Sequence, residues 1–486
     1  MTDKLTRISD FIWELPVSFL PAQRGKEGMR VPLRIIAAKK LIERMEEVVF
    51  EQSANVAALP GLESYVVILP DAHSGYGASI GTVFATNPEN EGIISPGAVG
   101  YDINCGMRLM VTNLMFGQVQ PKLHQLVNLL FDFVPAGVGR EGFLHISWKE
   151  LDKIMAEGAK SVIKSGFAFA GDENYIEEKG VIPGADPSCV SQKARERGKK
   201  QLATLGSGNH YLEIQKVAQI INQEKAKELG IFTPDQIVVM VHCGSRGLGH
   251  QIATDYLRSF ENKMEKYKIK VNDLQLACAP FDSCDGQNYF RAMAAAANFA
   301  FANRQLITYR IREAFAKVFG KTAEELGMKL VYDVAHNIAK VEEHQILSSK
   351  RSDLLGGPTS LRKLVVHRKG ATRSFPGQPV IIGGSMETGS YLLVGSDKSL
   401  ELTFGSTAHG SGRTMSRHQA KKIVGGQELS QRMSQAGIVV KSASYSGLAE
   451  EAGIAYKNIA DVVESVSKAG ISAPVASFKP IGNIKG

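Results

Sequence analysis

The sequence predicts an α+β fold, with mixed β-sheets around a central cleft and helices on their flanks. Short apolar runs rich in β-branched residues and bounded by glycine or proline indicate buried strands. Longer stretches with apolar residues at helical spacing indicate helices. No internal repeat or Pro/Ser-rich linker divides the 486 residues, so we expect residues 1–486 to form a single large domain.

The predicted strands lead into polar or glycine-rich motifs. They cover residues 65–70, 237–241, 330–335 and 380–382, and the motifs that follow begin at Asp71, His242, His336 and Gly383. Strand ends that open into one cleft hold distant residues on a rigid frame. We therefore expect the functional residues of this chain to gather at such a cleft.

The predicted helices lie between these strands and near the end of the chain. They cover residues 33–50, 252–267, 289–319 and 455–468. The stretch 289–319 is rich in alanine, which is typical of a core helix, yet it carries Asn298, Asn303, Arg304 and Arg310. Residues 171–201 are more polar and charged, and we expect them to form an exposed connection.

Composition limits the class of protein. With 44% hydrophobic and 22% charged residues, the chain can bury a sizeable core and does not resemble a disordered protein. The formal net charge of +8 favours a polyanionic partner. Five scattered cysteines without a CxxC pair exclude a disulfide framework and a zinc ribbon. The start of the chain has no signal-peptide pattern, so we expect a cytoplasmic protein with no membrane span.

Five distant segments set potential metal ligands beside turn-forming residues. They are residues 102–106, 208–210, 242–247, 334–337 and 407–413. Glycine permits positive φ and the close approach of a ligand. Carboxylate, thiolate and imidazole groups bind metals, and arginine beside a glycine-rich turn suits phosphate. Together the segments indicate metal-assisted phosphate chemistry.

The metal-ligand candidates also have ordinary structural explanations. Asp102 and Cys105 are three residues apart and can point at one ion from a turn, but a buried thiol beside a turn-forming aspartate has the same spacing. His210, His242 and His336 lie in or near apolar stretches, where a histidine is often a satisfied core residue. A thiolate favours zinc and a carboxylate favours manganese or magnesium, so the residues alone leave the metal open.

Two glycine-rich segments resemble anion-binding nests. Residues 242–250 and 409–417 combine glycines with arginines, so that backbone amides and guanidinium groups can hold phosphate oxygens. Within the second segment His409 can be a nucleophile, because a neutral imidazole nitrogen attacks phosphorus. An ordinary turn with a surface arginine is the alternative for either segment. The basic stretch 367–373 indicates either a solvated face or a polyphosphate or RNA contact.

Six ordered motifs, at residues 70–73, 102–108, 206–210, 242–247, 333–337 and 408–413, resemble those of the RtcB family of RNA-splicing ligases. The likeness runs from about residue 30 to residue 486. It implies a GTP- and manganese-dependent ligase that joins RNA 2′,3′-cyclic phosphate or 3′-phosphate ends to 5′-hydroxyl ends, in tRNA splicing or RNA repair. In the family, the histidine matching His409 forms a covalent GMP intermediate, and the RNA end is then activated as RNA-ppG.

The resemblance also implies roles for individual residues. Two Mn²⁺ ions per site would be held by Asp102, Cys105, His210, His242 and His336, with Cys105 as the bridge. GTP or GMP would contact Asn209, His210, Glu213, His336, Asn337, Gly383, Ser385, Met386, Ser390, His409, Gly412, Tyr456 and Lys485. RNA phosphate would contact Arg246, Arg413 and Arg417. The expected partners are RNA, either tRNA halves or cleaved RNA ends, and an archease-type activator protein.

Two other functions compete with ligation. A metal-dependent RNA phosphodiesterase or phosphatase would use the same ligands to activate water, but it leaves His409 and Glu213 without a role. A non-enzymatic RNA-binding protein would explain the net charge and leave the candidate metal ligands unexplained.

Overall fold

The computed structural model describes residues 4–347 and 359–486, and its sheets and helices confirm the α+β class. The strands are β1 (Thr6–Ser9), β2 (Ile12–Leu15), β3 (Leu33–Ile36), β4 (Val66–His73), β5 (Ile80–Thr86), β6 (Ile93–Ile94), β7 (Gly106–Met115), β8 (Tyr211–Ile220), β9 (Gln236–Cys243), β10 (Ala279–Pro280), β11 (Lys329–Ala335), β12 (Asn337–Leu347), β13 (Thr359–Lys369), β14 (Ala371–Arg373), β15 (Pro379–Gly383), β16 (Ser390–Gly395), β17 (Ser406–Ala408), β18 (Val439–Ser442) and β19 (Ser472–Lys485).

Helices flank these strands along the whole described chain. They are α1 (Lys39–Ile42), α2 (Glu47–Ala57), α3 (Pro96–Val99), α4 (Phe116–Val119), α5 (Leu123–Phe133), α6 (Trp148–Glu157), α7 (Ala159–Lys164), α8 (Gln192–Lys199), α9 (Gln223–Glu228), α10 (Arg246–Glu261), α11 (Cys284–Phe319), α12 (Asp397–Thr403), α13 (Arg417–Ile423), α14 (Gly426–Gln435), α15 (Tyr445–Glu450) and α16 (Ile459–Lys468). Among the described residues, none of these helices is both long and apolar enough to cross a membrane.

Two large sheets carry the motifs. The first sheet has the order β1-β2-β3-β4-β5-β13-β12, and the second has the order β11-β7-β9-β8-β19-β16-β15, with β18 paired to β19. The chain passes from the second sheet to the first at His336, which is the single residue between β11 and β12. Residues of both sheets therefore meet where the predicted ligand His336 lies.

Helix α11 forms the centre of the largest hydrophobic cluster. The side chain of Ser283 caps the start of the helix by accepting a hydrogen bond from the Gly286 amide at 3.0 Å. The helix is terminated by Gly320, whose φ is +66°. Residues 292–308 of the helix are buried. Small alanine side chains let neighbouring elements pack closely against this face. The predicted helix over residues 289–319 is confirmed.

Several sequence predictions of elements are confirmed and others are wrong. The four predicted strands correspond to β4, β9, β11 and β15. The predicted helix over residues 33–50 is wrong as a single element, because Leu33–Ile36 forms β3, which pairs with β2 and β4, and the rest is divided between α1 and the start of α2. The predicted helix 252–267 lies within α10 up to Glu261, and the last helix begins at Ile459 rather than at residue 455. The single-domain organisation stays a prediction.

The segment 171–201 is not simply an exposed connection. Asp172 and Glu177 are buried, with 4% and 1% of their surface exposed. Asp172 pairs with Arg312 of α11 at 2.6 Å, and Glu177 pairs with Lys340 of β12. A buried carboxylate needs such a partner to offset the loss of hydration, so the charges of this segment dock it onto the core.

Candidate active site

A cleft of about 560 Å³ lies where the motif-bearing segments meet. This volume falls within the range of roughly 300–1,000 Å³ that is typical of ligand sites. The predicted site residues that line it are Asp102, Cys105, Asn209, His242, His336, Asn337, Gly383, His409, Gly412, Arg413, Arg417 and Tyr456. Residues that are hundreds of positions apart in the sequence thus share one cavity.

The five predicted metal ligands converge around one sulfur atom. Cys105 Sγ lies 3.4 Å from His210 Nε2 and 3.2 Å from His242 Nε2. His210 Nε2 is 2.7 Å from Asp102 Oδ2, and His242 Nε2 is 3.1 Å from His336 Nε2. Two donor groups result, one of Asp102, Cys105 and His210 and the other of Cys105, His242 and His336. Cys105 belongs to both groups.

The donor set fits divalent cations. Burial lowers the pKa of His242 and of His336 well below the usual value, so both rings are neutral and keep a nitrogen lone pair. Two neutral nitrogens that face each other at 3.1 Å can share a single proton at best, whereas a cation accepts both lone pairs. Mixed thiolate, imidazole and carboxylate ligation suits a transition-metal ion of borderline softness.

Backbone carbonyls orient the two histidines nearest the sulfur. His242 Nδ1 donates to the carbonyl of Asn209 at 2.9 Å, and His210 Nδ1 lies 3.1 Å from the carbonyl of Leu205. A carbonyl partner at Nδ1 fixes the tautomer of His242 and turns Nε2 of both rings toward the ligand site. The other oxygen of Asp102 accepts the Ser245 amide at 3.0 Å, so the carboxylate is held as well.

A buried ion cluster supports the turn that carries Cys105. Arg304 of α11 donates to the carbonyls of Asn104 and Cys243, both at 2.8 Å. The same guanidinium pairs with Asp333 of β11 at 2.8 Å, and Arg108 of β7 pairs with Asp333 at 2.6 Å. Arg304, Asp333 and Arg108 have no exposed surface. Arg304 thereby ties the metal-ligand turn to two strands of the second sheet.

His409 is oriented by a carboxylate to which the sequence analysis gave no role. Asp71 Oδ2 accepts from His409 Nδ1 at 2.6 Å and also from the amides of His409 and Gly410. Burial favours a higher pKa for Asp71, but His409 and Lys457 outweigh it and the pKa is lowered. The carboxylate is therefore ionised and holds the Nδ1 proton, which in the neutral imidazole leaves the lone pair on Nε2 of His409.

The comparisons with known proteins decide the family. Residues 52–486 match the family model described as tRNA-splicing ligase RtcB. The chain belongs to the RtcB family. Among the relatives named tRNA-splicing ligase RtcB, the protein of Archaeoglobus fulgidus is 48% identical over 99% of both chains, that of Nanoarchaeum equitans is 49% identical over 100% of both, and that of Thermococcus kodakarensis is 48% identical over 99% of both. The resemblance drawn from the motifs is confirmed, and with it the enzyme class, an RNA ligase.

The residues expected to hold guanylate in an RtcB protein fall into two groups. The first group, which includes Asn209, Asn337 and Tyr456, lines the cleft. The second group lies outside the lining and is buried, with at most 4% of each residue exposed: Glu213, Ser385, Met386, Ser390 and Lys485. Gln215 Nε2 joins two of these by donating to Glu213 and, at 3.1 Å, to the hydroxyl of Ser390. Burial raises the pKa of Glu213 to about 7. Glu213 and Ser390 thus belong to one buried polar group behind the cleft lining, whereas Met386 packs in an apolar cluster with Val424 and Leu429.

The three arginines expected to meet RNA in the RtcB fold have protein partners. Arg246 Nε donates to the hydroxyl of Thr204 at 3.4 Å, and its guanidinium contacts the ring of His210. Arg413 and Arg417 pair with Glu451 at 3.3 Å and 3.2 Å. Burial favours a higher pKa for Glu451, but Lys485, Arg417 and Arg413 outweigh it and lower the pKa. Glu451 is not part of any motif, so sequence reasoning missed it.

The basic stretch 367–373 is not a solvated face, so that interpretation is wrong, whereas a polyphosphate or RNA contact stays a prediction. His367 is buried and stacks on Phe84 with ring centroids 4.4 Å apart. Arg368 pairs with Glu342 at 2.7 Å, and Arg373 pairs with Glu178. The strand β13 lies inside the first sheet between β5 and β12, so its basic side chains are paired or buried. Lys369 of this stretch does line the cleft.

Proposed function

We propose that this chain is a GTP-dependent RNA ligase that joins 2′,3′-cyclic phosphate or 3′-phosphate ends to 5′-hydroxyl ends. The observation that carries the proposal is the 2.6 Å contact from His409 Nδ1 to Asp71, made beside a donor set that shares Cys105. A histidine with a free Nε2 lone pair is a nucleophile. Two groups of metal donors that share one ligand can hold a pair of ions for phosphoryl transfer. The relatives named tRNA-splicing ligase RtcB support joining of tRNA halves or other cleaved RNA.

The metal donors have a defined place in this proposal. Asp102, Cys105 and His210 would hold one Mn²⁺, and Cys105, His242 and His336 would hold the other. When bound, the ions supply charge neutralisation at the phosphate oxygens. The Nδ1 contacts with backbone carbonyls keep the two histidine ligands in place through each step.

His409 carries the nucleotide in the first step. Its Nε2 lone pair attacks the α-phosphorus of GTP, a phosphorus–nitrogen bond forms, and pyrophosphate leaves with the electrons of the broken bond. The imidazole gains positive character, which the ionised Asp71 stabilises through the Nδ1 proton. Asp71 therefore serves as both the orienting and the charge-stabilising partner.

RNA takes the nucleotide in the following steps. A cyclic phosphate end is first hydrolysed to a 3′-phosphate. An oxygen of that phosphate attacks the phosphorus on His409, which releases the imidazole and gives an RNA-ppG end. The 5′-hydroxyl of the second RNA then attacks the 3′-phosphorus, a phosphodiester forms, and GMP leaves. Arg246, Arg413 and Arg417 would meet phosphate charge along this path.

Guanine selection falls to the buried polar group. An ionised Glu213 can accept from both N1 and N2 of guanine, two donors that adenine lacks at those positions. Asn209 and Tyr456 line the cleft and would contact the nucleotide from the open side. A cytoplasmic location and an archease-type activator protein complete the proposal.

The deciding experiment is incubation with α-³²P-GTP and Mn²⁺, followed by a denaturing gel. We expect a covalent label that is labile in acid and stable in alkali, as a phosphoramidate is, and the same label should not form with ATP. His409→Ala should remove the label and keep bound manganese, whereas the matched variant His418→Ala, an exposed histidine of α13, should keep both. Metal-dependent opening of cyclic phosphate ends without any label would instead establish the phosphodiesterase.

A further inference from the structure

The cleft has an aromatic wall that the proposed chemistry does not use. Tyr76 and Tyr101 both line the cleft, and their ring centroids lie 5.0 Å apart in an edge-on arrangement. The ring of Tyr101 stacks on His250 of α10 with centroids 4.8 Å apart and planes 24° apart. Both tyrosines are half-buried and His250 is exposed. We call Tyr76, Tyr101 and His250 the aromatic lip.

The backbone around Tyr76 is fixed by side chains from distant segments. Gln52 bonds both polar groups of the Gly75 backbone, with its Oε1 accepting the amide at 3.1 Å and its Nε2 donating to the carbonyl at 2.5 Å. Gln275 accepts from the amide that follows Tyr76 at 2.7 Å. Lys369 donates to the carbonyl of Tyr76 itself. A rigid aromatic surface of this kind loses little entropy when a flat group stacks on it.

The aromatic lip adjoins the metal donors but not the proposed guanylate contacts. Tyr101 precedes the ligand Asp102, and α10 begins at Arg246, which contacts the ligand His210. None of the residues assigned to guanylate lies in residues 73–77, in residues 100–102 or in α10. A flat group on the lip would therefore have its attached backbone near the metal donors and a phosphate-binding arginine, while the guanylate site stays free.

We propose that the aromatic lip stacks the nucleobase of the terminal nucleotide of an RNA end and so places its phosphate or hydroxyl at the metal donors. This inference rests on the proposed ligase function and adds a subsite to it. Single-stranded nucleic acid is commonly held by aromatic faces flanked by basic groups, and the contact accepts any base, because every base has a π-face. The lip thus binds RNA ends without a sequence requirement, as joining of varied ends needs.

The test measures the affinity of the full-length protein for short RNAs whose terminal nucleotide is either intact or abasic. In one series of RNAs the abasic nucleotide is at a 3′-phosphate end, and in the other it is at a 5′-hydroxyl end. Binding is followed by fluorescence anisotropy without GTP. Loss of one stacked base should weaken binding on the order of tenfold, and the series with the loss identifies the end that the lip holds. Equal affinity of intact and abasic RNA in both series would overturn the inference.

Variants assign the effect to the lip. Tyr101→Leu and Tyr76→Leu should weaken binding of intact RNA and remove the difference between intact and abasic RNA, while Tyr101→Phe should behave as the unmodified protein. Tyr175→Leu, at an exposed tyrosine outside the cleft lining, is the matched control. A full abasic penalty in both leucine variants would place the base elsewhere and refute the lip.

The proposed function is tested separately by covalent labelling with α-³²P-GTP. Labelling is measured in the unmodified protein, because it requires GTP and Mn²⁺ but no RNA end. Absence of label in the unmodified protein would contradict the ligase, whereas an abasic penalty measured in the same preparation would still establish a nucleobase subsite on the lip. If a leucine variant misfolds, the comparison of intact and abasic RNA in the unmodified protein and in Tyr101→Phe decides the inference.

Discussion

Single contacts decide the chemistry of His409. Asp71 holds the Nδ1 proton at 2.6 Å, so Asp71→Asn should allow the amide to donate to Nδ1 and turn the Nε2 lone pair into an N–H. We expect covalent GMP labelling to slow by at least about 100-fold, the usual size of an acid–base contribution. Rapid-quench labelling measures this rate, and manganese content should stay the same. A variant that labels at the normal rate would mean that Asp71 only supports the backbone.

Because both donor groups share the sulfur of Cys105, the loss of bound metal should differ between ligand variants. Cys105→Ala removes a ligand from both donor groups, while His210→Ala removes one from a single group. We expect about two manganese ions per unmodified chain, about one in His210→Ala and close to none in Cys105→Ala. Elemental analysis after gel filtration measures the content. Cys189→Ala, which lies outside both groups, is the control, and equal losses in the cysteine and histidine variants would contradict a bridging role.

In the proposed function, Glu213 gives guanine binding a pH dependence. Burial raises its pKa to about 7, and only the ionised form accepts both guanine donors. The carboxyl is ionised above pH 7 and protonated below it, so GTP affinity should be flat above pH 7 and fall about tenfold per unit below it. Calorimetric titration of His409→Ala with and without Glu213→Gln isolates this effect, because the triphosphate titrates identically in both. The added substitution should abolish the slope, and a retained slope would assign it to another group.

At the scale of elements, α11 supports the active site through the buried side chain of Arg304. Arg304→Met would leave Asp333 with Arg108 as its remaining partner and would free the carbonyls of Asn104 and Cys243. Breaking a buried ion pair costs about 3–5 kcal/mol, so we expect the free energy of unfolding to fall by that amount, with weaker manganese binding. Urea denaturation measures it. Arg258→Met on the exposed face of α10 should change stability by less than about 0.5 kcal/mol.

The elements differ in how far the sequence predicts them. β9 and β11 were predicted because their β-branched runs have clear ends, and α11 because its apolar pattern extends over many turns. β3 was missed, because residues 33–36 fit a helical spacing as well as a strand and only pairing with β2 and β4 decides between the two. Propensity is a weak guide for such short apolar runs.

The site shows the same contrast. Histidine, cysteine and aspartate beside glycine can be recognised by residue type, and the five ligand candidates do converge. Asp71 lies in one of the six motifs, but its role as the partner of His409 follows only from contacts across the fold, as do the roles of Arg304 and Glu451. The burial of Arg368 and its pairing with Glu342 follow from the position of β13 in the sheet, which a charge run does not reveal.

At the scale of the whole molecule, the metal donors and His409 come from segments that span most of the chain. Asp71 and His409 are separated by 338 residues, and the donors come from the turn at Asp102, from the regions of β8 and β9, and from the junction at His336. Contacts of such long range form late, since closing a long loop is costly and slow.

A ribosome must therefore deliver most of the chain before the nucleophile can meet its carboxylate. Under the proposed mechanism, incomplete or partly unfolded copies would lack His409 or its orientation and could not take up GMP. Such copies would neither consume GTP nor attack cellular RNA ends. Under the proposed mechanism, GMP labelling of nascent chains of increasing length should appear only once His409 has been synthesised and has met Asp71.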